Sequence, residues 1–492
     1  MIEKIKHKGL ALAILAAAQF MVVLDATIVN VALPAVEKAL GFTGQAQLQW
    51  IITAYALAFG GFLLLGGRLA DLFGRRRIFM IGVTVFAVAS LLAGLAQSPE
   101  MIIAFRALQG LGGALLSPAA LSLVLTIFKE GPERNRALGV WSMVAAGGGA
   151  VGLLLGGVLT QYVDWRWIFF INVPVAAFVI FMAMRYVPKS LPTTRERVDV
   201  TGAVTITASL ASIVFALAKV PSDGWGSSIV LGTFALSAVL MVVFIINELR
   251  VKNPLITLSI FKKRNVTGGT IIQTLMPAAL FGMFFFLSIY LQQIQGYSPT
   301  QTGAANLPFT LVLIAVAGTL SRHIGKLNVK ILLVVAPLIV ASGLLFFANV
   351  PLHADYVTNI LPGILLMGAG MAVTFVTVTV VATNGISAQQ SGTVSGLLNT
   401  AQQIGGAIGL AVLSVISTNV TKDSLIAAQG NPIALPQALV DGFQRGFLTA
   451  AIFALIASIV ALLVLKATKQ NKTDMDSEVL HESEAFAALP GA

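Results

Sequence analysis

The chain has no cysteine, only four histidines and little charge: Asp, Glu, Lys and Arg make up 10% of its 492 residues. Without cysteine there are no disulfides and no thiolate chemistry, and the redox compartment stays undetermined. Four scattered histidines supply no zinc cluster. A soluble globular chain carries about 25% charged residues, so a chain with this few cannot cover its surface with polar groups. That excludes soluble enzymes, nucleic-acid binders and disordered scaffolds. Hydrophobic residues instead make up 57%, and the solvent such a chain needs is largely hydrocarbon.

A helix needs about 20 apolar residues to cross a hydrocarbon core about 30 Å thick. Such stretches fall near 10–33, 48–70, 78–97, 101–128, 137–161, 167–187, 200–218, 228–247, 268–292, 304–321, 330–350, 358–383, 393–419 and 444–466. The expected fold class is therefore an all-α integral membrane protein with fourteen transmembrane helices. The first stretch follows Lys4, Lys6 and Lys8, but it is too long for a signal peptide, holds an Asp and lacks a small-residue cleavage pattern. It reads as a mature helix.

The net charge of +11 suits either a polyanion partner or basic loops beside a membrane, and the placement of the bases decides. With the N-terminus inside, twenty-five of the 31 Lys and Arg fall on the inner side, five on the outer, and Arg106 within a span. This predicts two cytoplasmic termini and no nucleic-acid partner. Trp50, Trp165, Trp167 and Trp225 fall at outer helix ends, as an aromatic belt requires. The tail 468–492 turns acidic and small, and reads as a disordered cytoplasmic segment.

Self-similarity appears between the halves. GGAVGL at Gly148–Leu153 matches GGAIGL at Gly405–Leu410; Gly110, Gly112 and Ala114 match Gly368, Gly370 and Ala372; Gly67, Leu69, Gly74 and Arg75 match Gly318, Leu320, Gly325 and Lys326. The offsets are close to one value, so helices 1 to 6 pair with 9 to 14 and helices 7 and 8 form an insert. The expected organisation is a six-helix bundle over 1–190, an inserted hairpin over 191–262, a second six-helix bundle over 263–467, and the tail. Two such bundles with a site between them are a transporter architecture.

Ionisable groups within a span are costly and mark function. Asp25 is the one acid deep in a predicted span, and Arg106 the one base. Two readings of Asp25 stand: a group that loads and releases a proton, or a hydrogen-bond acceptor for Thr27 or Asn30. Arg106 either faces Asp25 or holds helices together. Gly148, Gly152, Gly156 and Gly157 permit close helix contact or a pliable rocking surface. Pro34 and Pro118 are expected to end or kink their helices. Asn30, Phe281, Phe285, Tyr290, Asn399 and Gln402 are the expected lining of a cavity for apolar ligands.

These residues carry a family resemblance. GGRLADLFGRRR, Gly66–Arg77, resembles the loop motif between helices 2 and 3 of the major facilitator superfamily, with Gly67, Asp71, Gly74, Arg75, Arg76 and Arg77 in its key positions. RALQGLGG from Arg106 is similar to the helix 4 motif, LDATIVNVALP from Leu24 to the helix 1 signature of the fourteen-helix drug:proton antiporter branch, and WRWIFFINVP from Trp165 to the same branch. The resemblance implies that Arg106 serves proton coupling. It also implies that Asp71 latches the inner face by accepting from the N-terminus of a neighbouring helix. In the second-half copy Arg322 stands in place of Asp71, so the latch is expected on one side. The helix 5 motif departs from the family's antiporter form, with Leu153 where that form has proline.

The expected activity is proton-coupled export of hydrophobic neutral or monocationic drugs across the cytoplasmic membrane by a monomer, with no cofactor and no metal. Deprotonated Asp25 would favour substrate and an outer proton would displace it. The alternative is a transporter specific for one metabolite, vitamin or antibiotic. An enzyme would need clustered carboxylates, histidines or a nucleophile with its base, and His7, His323, His353 and His481 all lie at ends or in loops. A channel would need rings of charge or a filter-like stretch, and neither appears.

Overall fold

In hydrocarbon a backbone amide finds no water, so a spanning segment must satisfy its own hydrogen bonds, and an apolar run of this length does so as a helix. The computed structural model describes residues 8–128, 132–188, 199–252, 254–324, 327–383, 388–429 and 431–465. Among the described residues there is no strand. Lys4, Lys6, Arg195, Arg197, Gly325, Lys326, Asn384 and the tail 468–492 lie outside them.

The long helices are α1 (Lys8–Leu40), α2 (Trp50–Phe73), α3 (Arg75–Gly94), α4 (Pro99–Ile127), α5 (Pro132–Tyr162), α6 (Asn172–Tyr186), α7 (Val200–Asp223), α8 (Ser228–Arg250), α9 (Arg264–Ile289), α10 (Pro299–His323), α11 (Val329–Phe347), α12 (Leu361–Thr383), α13 (Ala388–Ala427) and α14 (Leu435–Val464). Thirteen of these, some with an adjoining short turn, are long and apolar enough to cross a membrane; the remaining one is the glycine-rich 31-residue α5. The chain is a multi-pass membrane protein.

Local chemistry sets several boundaries. Ser98 caps α4 by accepting from the Met101 amide, with Pro99 in the first turn. Ser298 and Gln301 form a capping box at α10, again followed by proline. Between α2 and α3 there is one residue, Gly74, at φ 93°, a left-handed conformation that glycine adopts without a Cβ clash. Pro34 and Pro118 do not end their helices: α1 continues to Leu40 and α4 to Ile127. Packing against neighbours holds the chain helical past the lost bond.

The sequence repeat has a packing counterpart. α1 packs on α5 and α9 on α13, α2 and α3 pack on α4, and α10 and α11 pack on α12. Gly148 and Gly152 lie against Phe20 and Leu24, while Gly405 and Gly409 lie against Thr274 and Ala278. Gly110 and Gly112 meet Tyr55 and Phe86, while Gly368 and Gly370 meet Phe309 and Val340. Each of those four partner pairs is 254 residues apart, so matching glycines contact matching positions. α7 packs on α2 and α13, and α8 packs on α7.

The first and second sets of helices pack together along α2 and α13, where Gly60 abuts Gln403 and Gly396 abuts Leu64, and they are also tied at the face away from the basic loops. There Gln292 Nε2 donates to Val31 O (2.8 Å), Gln293 Nε2 to Glu37 Oε2 (2.6 Å) and the Thr300 amide to Gln161 Oε1 (3.2 Å). Gln292 and Gln293 sit on a π-helical turn, Tyr290–Ile294, that follows α9. On this face Gly157 of α5 abuts Pro299 of α10, and Gly303 abuts Leu153. Nearer the basic face, Gly147 and Gly318 meet no atom of another helix among the described residues within 4 Å of the place a Cβ would take. The contact between α5 and α10 thus sits at the far face.

A side chain at Gly409 would collide with Ala278. Gly409→Val is expected to cost about 1–3 kcal/mol by overpacking, read as a lower thermal midpoint of the purified protein, whereas Gly147→Val should leave the midpoint unchanged.

Candidate functional site

Asp25 lies midway along α1 with no exposed surface, and Arg106 of α4 is 1% exposed. Arg106 Nη1 donates to Asp25 Oδ2 at 2.5 Å. Asp25 Oδ1 accepts from Gln109 Nε2 (2.7 Å) and from Asn172 Nδ2 of α6 (3.0 Å). All three contacts are donors, which is the arrangement an ionised carboxylate requires. An isolated charge here would cost several kcal/mol, and pairing with full hydrogen bonding offsets that cost.

The second layer closes around Arg106. Its Nε donates to Ile51 O at 2.9 Å, its Nη1 also to Gln109 Oε1 at 2.6 Å, and its guanidinium lies 4.3 Å from the centre of the Tyr55 ring. Ser90 Oγ of α3 accepts from Gln109 (3.1 Å) and Asn172 (3.0 Å) and donates to Phe169 O (2.8 Å). Five helices, α1, α2, α3, α4 and α6, therefore meet at one buried polar knot.

Of the two readings of Arg106, the structure has the one in which it faces Asp25, and Asp25 has no exposed surface because the network encloses it. It is also no acceptor for Thr27 or Asn30: Thr27 Oγ1 donates to Val23 O and Leu24 O, and the Asn30 amide to Ala26 O and Thr27 O. Ser90, Gln109 and Asn172 were missed from sequence. The signal was available for two of them, since Gln109 falls one turn after Arg106 within RALQGLGG and Asn172 lies within WRWIFFINVP.

The residues expected to line a cavity separate. Phe281 borders Gly406 of α13, and Gln402 Oε1 accepts from Gln273 Nε2 at 3.1 Å. Asn399 is exposed and Asn30 is turned onto its own helix. Phe285 and Tyr290 line no opening, since neither has exposed surface. Phe285 packs edge-on to Phe286, which meets Phe443 and Phe447 of α14, and the Tyr290 hydroxyl donates to Pro351 O at 2.6 Å.

At the basic face Asp71 Oδ1 accepts from Arg75 Nη2 at 3.3 Å. Arg75 also bonds the Thr126 hydroxyl at the end of α4, and Arg76 bonds Met184 O of α6. Gly67 faces Pro118, and Arg77 is exposed. The loop motif thus gathers the ends of α2, α3, α4 and α6. In α5, Gly148, Gly152 and Gly156 lie against α1 and Gly157 against α10.

Two sets of spanning helices with matched packing, the first enclosing a buried ion pair, form a transporter architecture, and solved structures share the fold. The POT family transporter PepTSo aligns at TM-score 0.69 with 15% identity, covering 94% of this chain and 98% of that one. A bacterial homolog of the human lysosomal transporter Spinster, inward-facing and unoccupied, aligns at 0.67 with 16% identity over 93% and 97%. The chain belongs to the Major Facilitator Superfamily, whose pattern matches residues 15–410. It is similar to the puromycin resistance protein pur8 of Streptomyces alboniger, 40% identical over 92% of this chain and 90% of that one. It is also similar to the cephamycin export protein CmcT of Amycolatopsis lactamdurans, 37% identical over 92% and 91%. The family and these relatives are transporters and not enzymes.

Replacing Arg106 by Met leaves a buried carboxylate without its cation, at an expected cost of about 3–5 kcal/mol. The thermal midpoint should fall accordingly, and adding Asp25→Asn should recover part of the loss by removing the unpaired charge.

Proposed function

We propose that this protein exports hydrophobic neutral or monocationic compounds across the cytoplasmic membrane in exchange for a proton, by alternating access, with both termini in the cytoplasm. The observation that carries the reading is the buried Asp25–Arg106 pair. Relatives named for antibiotic resistance and export support the substrate class.

Asp25 has no exposed surface, which favours coupling through helix movement over direct competition between proton and drug. For Asp25 to accept a proton, Arg106 must give up its contact, and the packing of α1, α4 and α6 must loosen to admit water. Protonation and the conformational change then become one event. The Asp71 motif joins helix ends at the basic face.

One proton crossing 100 mV is worth about 2.3 kcal/mol, with about 1.4 kcal/mol more for each unit of pH difference. That sustains a gradient of roughly a hundredfold or more for a neutral drug, at about 1.4 kcal/mol per decade. For a monocation exchanged against one proton, charge movement cancels and the pH difference alone drives transport. A dication would need a second membrane carboxylate. A narrower reading, one antibiotic as the substrate, is favoured by relatives each named for a single compound, and efflux of a panel of dyes and antibiotics separates the two.

The test is efflux of puromycin and of a monocationic dye from energised vesicles. Asp25→Asn is expected to abolish accumulation against a gradient while retaining binding. Dissipating the membrane potential should spare the monocation, and dissipating the pH gradient should stop it. Normal uphill export by Asp25→Asn would refute the coupling. A single cysteine placed at Lys472 in this cysteine-free chain should react with an impermeant thiol reagent only after the membrane is opened, and labelling in intact cells would reverse the orientation.

A further inference from the structure

A second pair of buried carboxyls lies away from the Asp25 network, where the α7–α8 hairpin starts and ends. Asp199 and Glu248 are each 5% exposed. Asp199 Oδ1 caps α7 by accepting from the Gly202 amide at 2.7 Å, and its Oδ2 accepts from Asn247 Nδ2 of α8 at 2.6 Å. Glu248 Oε2 accepts from the Ile256 amide at 3.0 Å. Glu248 Oε1 is buried with no hydrogen-bond partner. A Cβ added to Gly202 would strike both Asp199 Oδ2 and Glu248 Oε1, so these two oxygens crowd one side of the same residue.

Among the described residues, the groups that face the pair are the Asn247 amide, the backbone amides of Gly202, Leu255 and Ile256, and apolar surface from Ala203, Leu255 and Leu65 of α2. Arg250 and Lys252, the nearest described bases along the chain, are both exposed. An orphaned acceptor beside another carboxylate lacks a donor, and two adjacent buried carboxylates cannot both stay ionised. One proton resolves both problems, as in the shared-proton pairs of aspartic proteases.

We propose that Asp199 and Glu248 bind a single proton between them, with Glu248 Oε1–H donating to Asp199 Oδ2, and that this makes the base of the α7–α8 hairpin a proton-binding site separate from Asp25. Release breaks the O–H bond and passes the proton to water at the basic face. The two carboxylates left behind repel, and the 254–257 segment loosens from α7. The site is therefore loaded at lower pH and emptied as pH rises. This inference does not depend on the export reading.

The experiment compares purified wild type, Glu248→Gln and Asp199→Asn by infrared difference spectroscopy and by thermal unfolding across a series from mildly acidic to alkaline pH, since the stability held by the shared proton is lost from the ordinary carboxyl range upward. In Glu248→Gln the amide can donate to Asp199 and accept from Ile256, so the fold is retained. The wild type should lose a protonated-carboxyl carbonyl band and part of its stability on alkalinisation. Glu248→Gln should lack that band and show a smaller stability loss over the same series. Asp199→Asn, whose amide can donate to Glu248 Oε1, should also lack it, and serves if the first variant misfolds. A band and a pH slope unchanged in Glu248→Gln would overturn the proposal. So would stabilisation of the alkaline wild type by added sodium, which would mean a metal cation occupies the site instead.

Discussion

A polar group inside hydrocarbon must find its partner within the protein, because no water stands in for one. That single constraint organises this molecule at two scales. For the backbone it dictates helices, and for side chains it dictates that a carboxylate such as Asp25 be met by Arg106, Gln109 and Asn172 together. The pair determines which helices must lie next to one another, since its partners come from α1, α4 and α6, with Ser90 of α3 and Ile51 of α2 completing the shell. Moving any of these helices disturbs a charge.

The two sets of helices share their packing and differ in their chemistry. Glycines at matched positions bring matched helices together in both. At the 254-residue spacing that relates their contacts, however, Ala279 stands opposite Asp25 and Leu344 opposite Ser90; at the glycine spacing of 258, Ile364 stands opposite Arg106 and Met367 opposite Gln109. All four are fully buried and apolar. The second set therefore keeps the close approach and fills the equivalent space with hydrocarbon. Among the described residues the fully buried ion pair therefore belongs to the first set, while Phe285, Phe286, Phe443 and Phe447 consolidate the second.

How much was legible follows from what each signal depends on. The spans could be read because hydropathy over 20 residues is a local property, and Asp25 and Arg106 stood out because a charge in such a run is rare. The phenylalanines of α9 could not be sorted in the same way. Phe281 and Phe285 are one turn apart on the same helix, yet one borders α13 and the other is sealed in the phenylalanine cluster that α14 completes. Glu248 escaped notice because the apolar window ended at residue 247 whereas the helix runs to Arg250.

The amino-acid order alone determined that this chain lives in a membrane, how many helices it forms, which face carries the bases and which two ionisable residues sit in oil. Those properties depend on transfer free energies summed along contiguous residues, so they need no knowledge of neighbours. The tertiary structure alone decided that Asp25 is enclosed, which amides and hydroxyls satisfy it, and that Asp199 and Glu248 share a site 49 residues apart in the chain. Hydrogen bonds of about 3 Å between helices distant in sequence depend on how the helices dock.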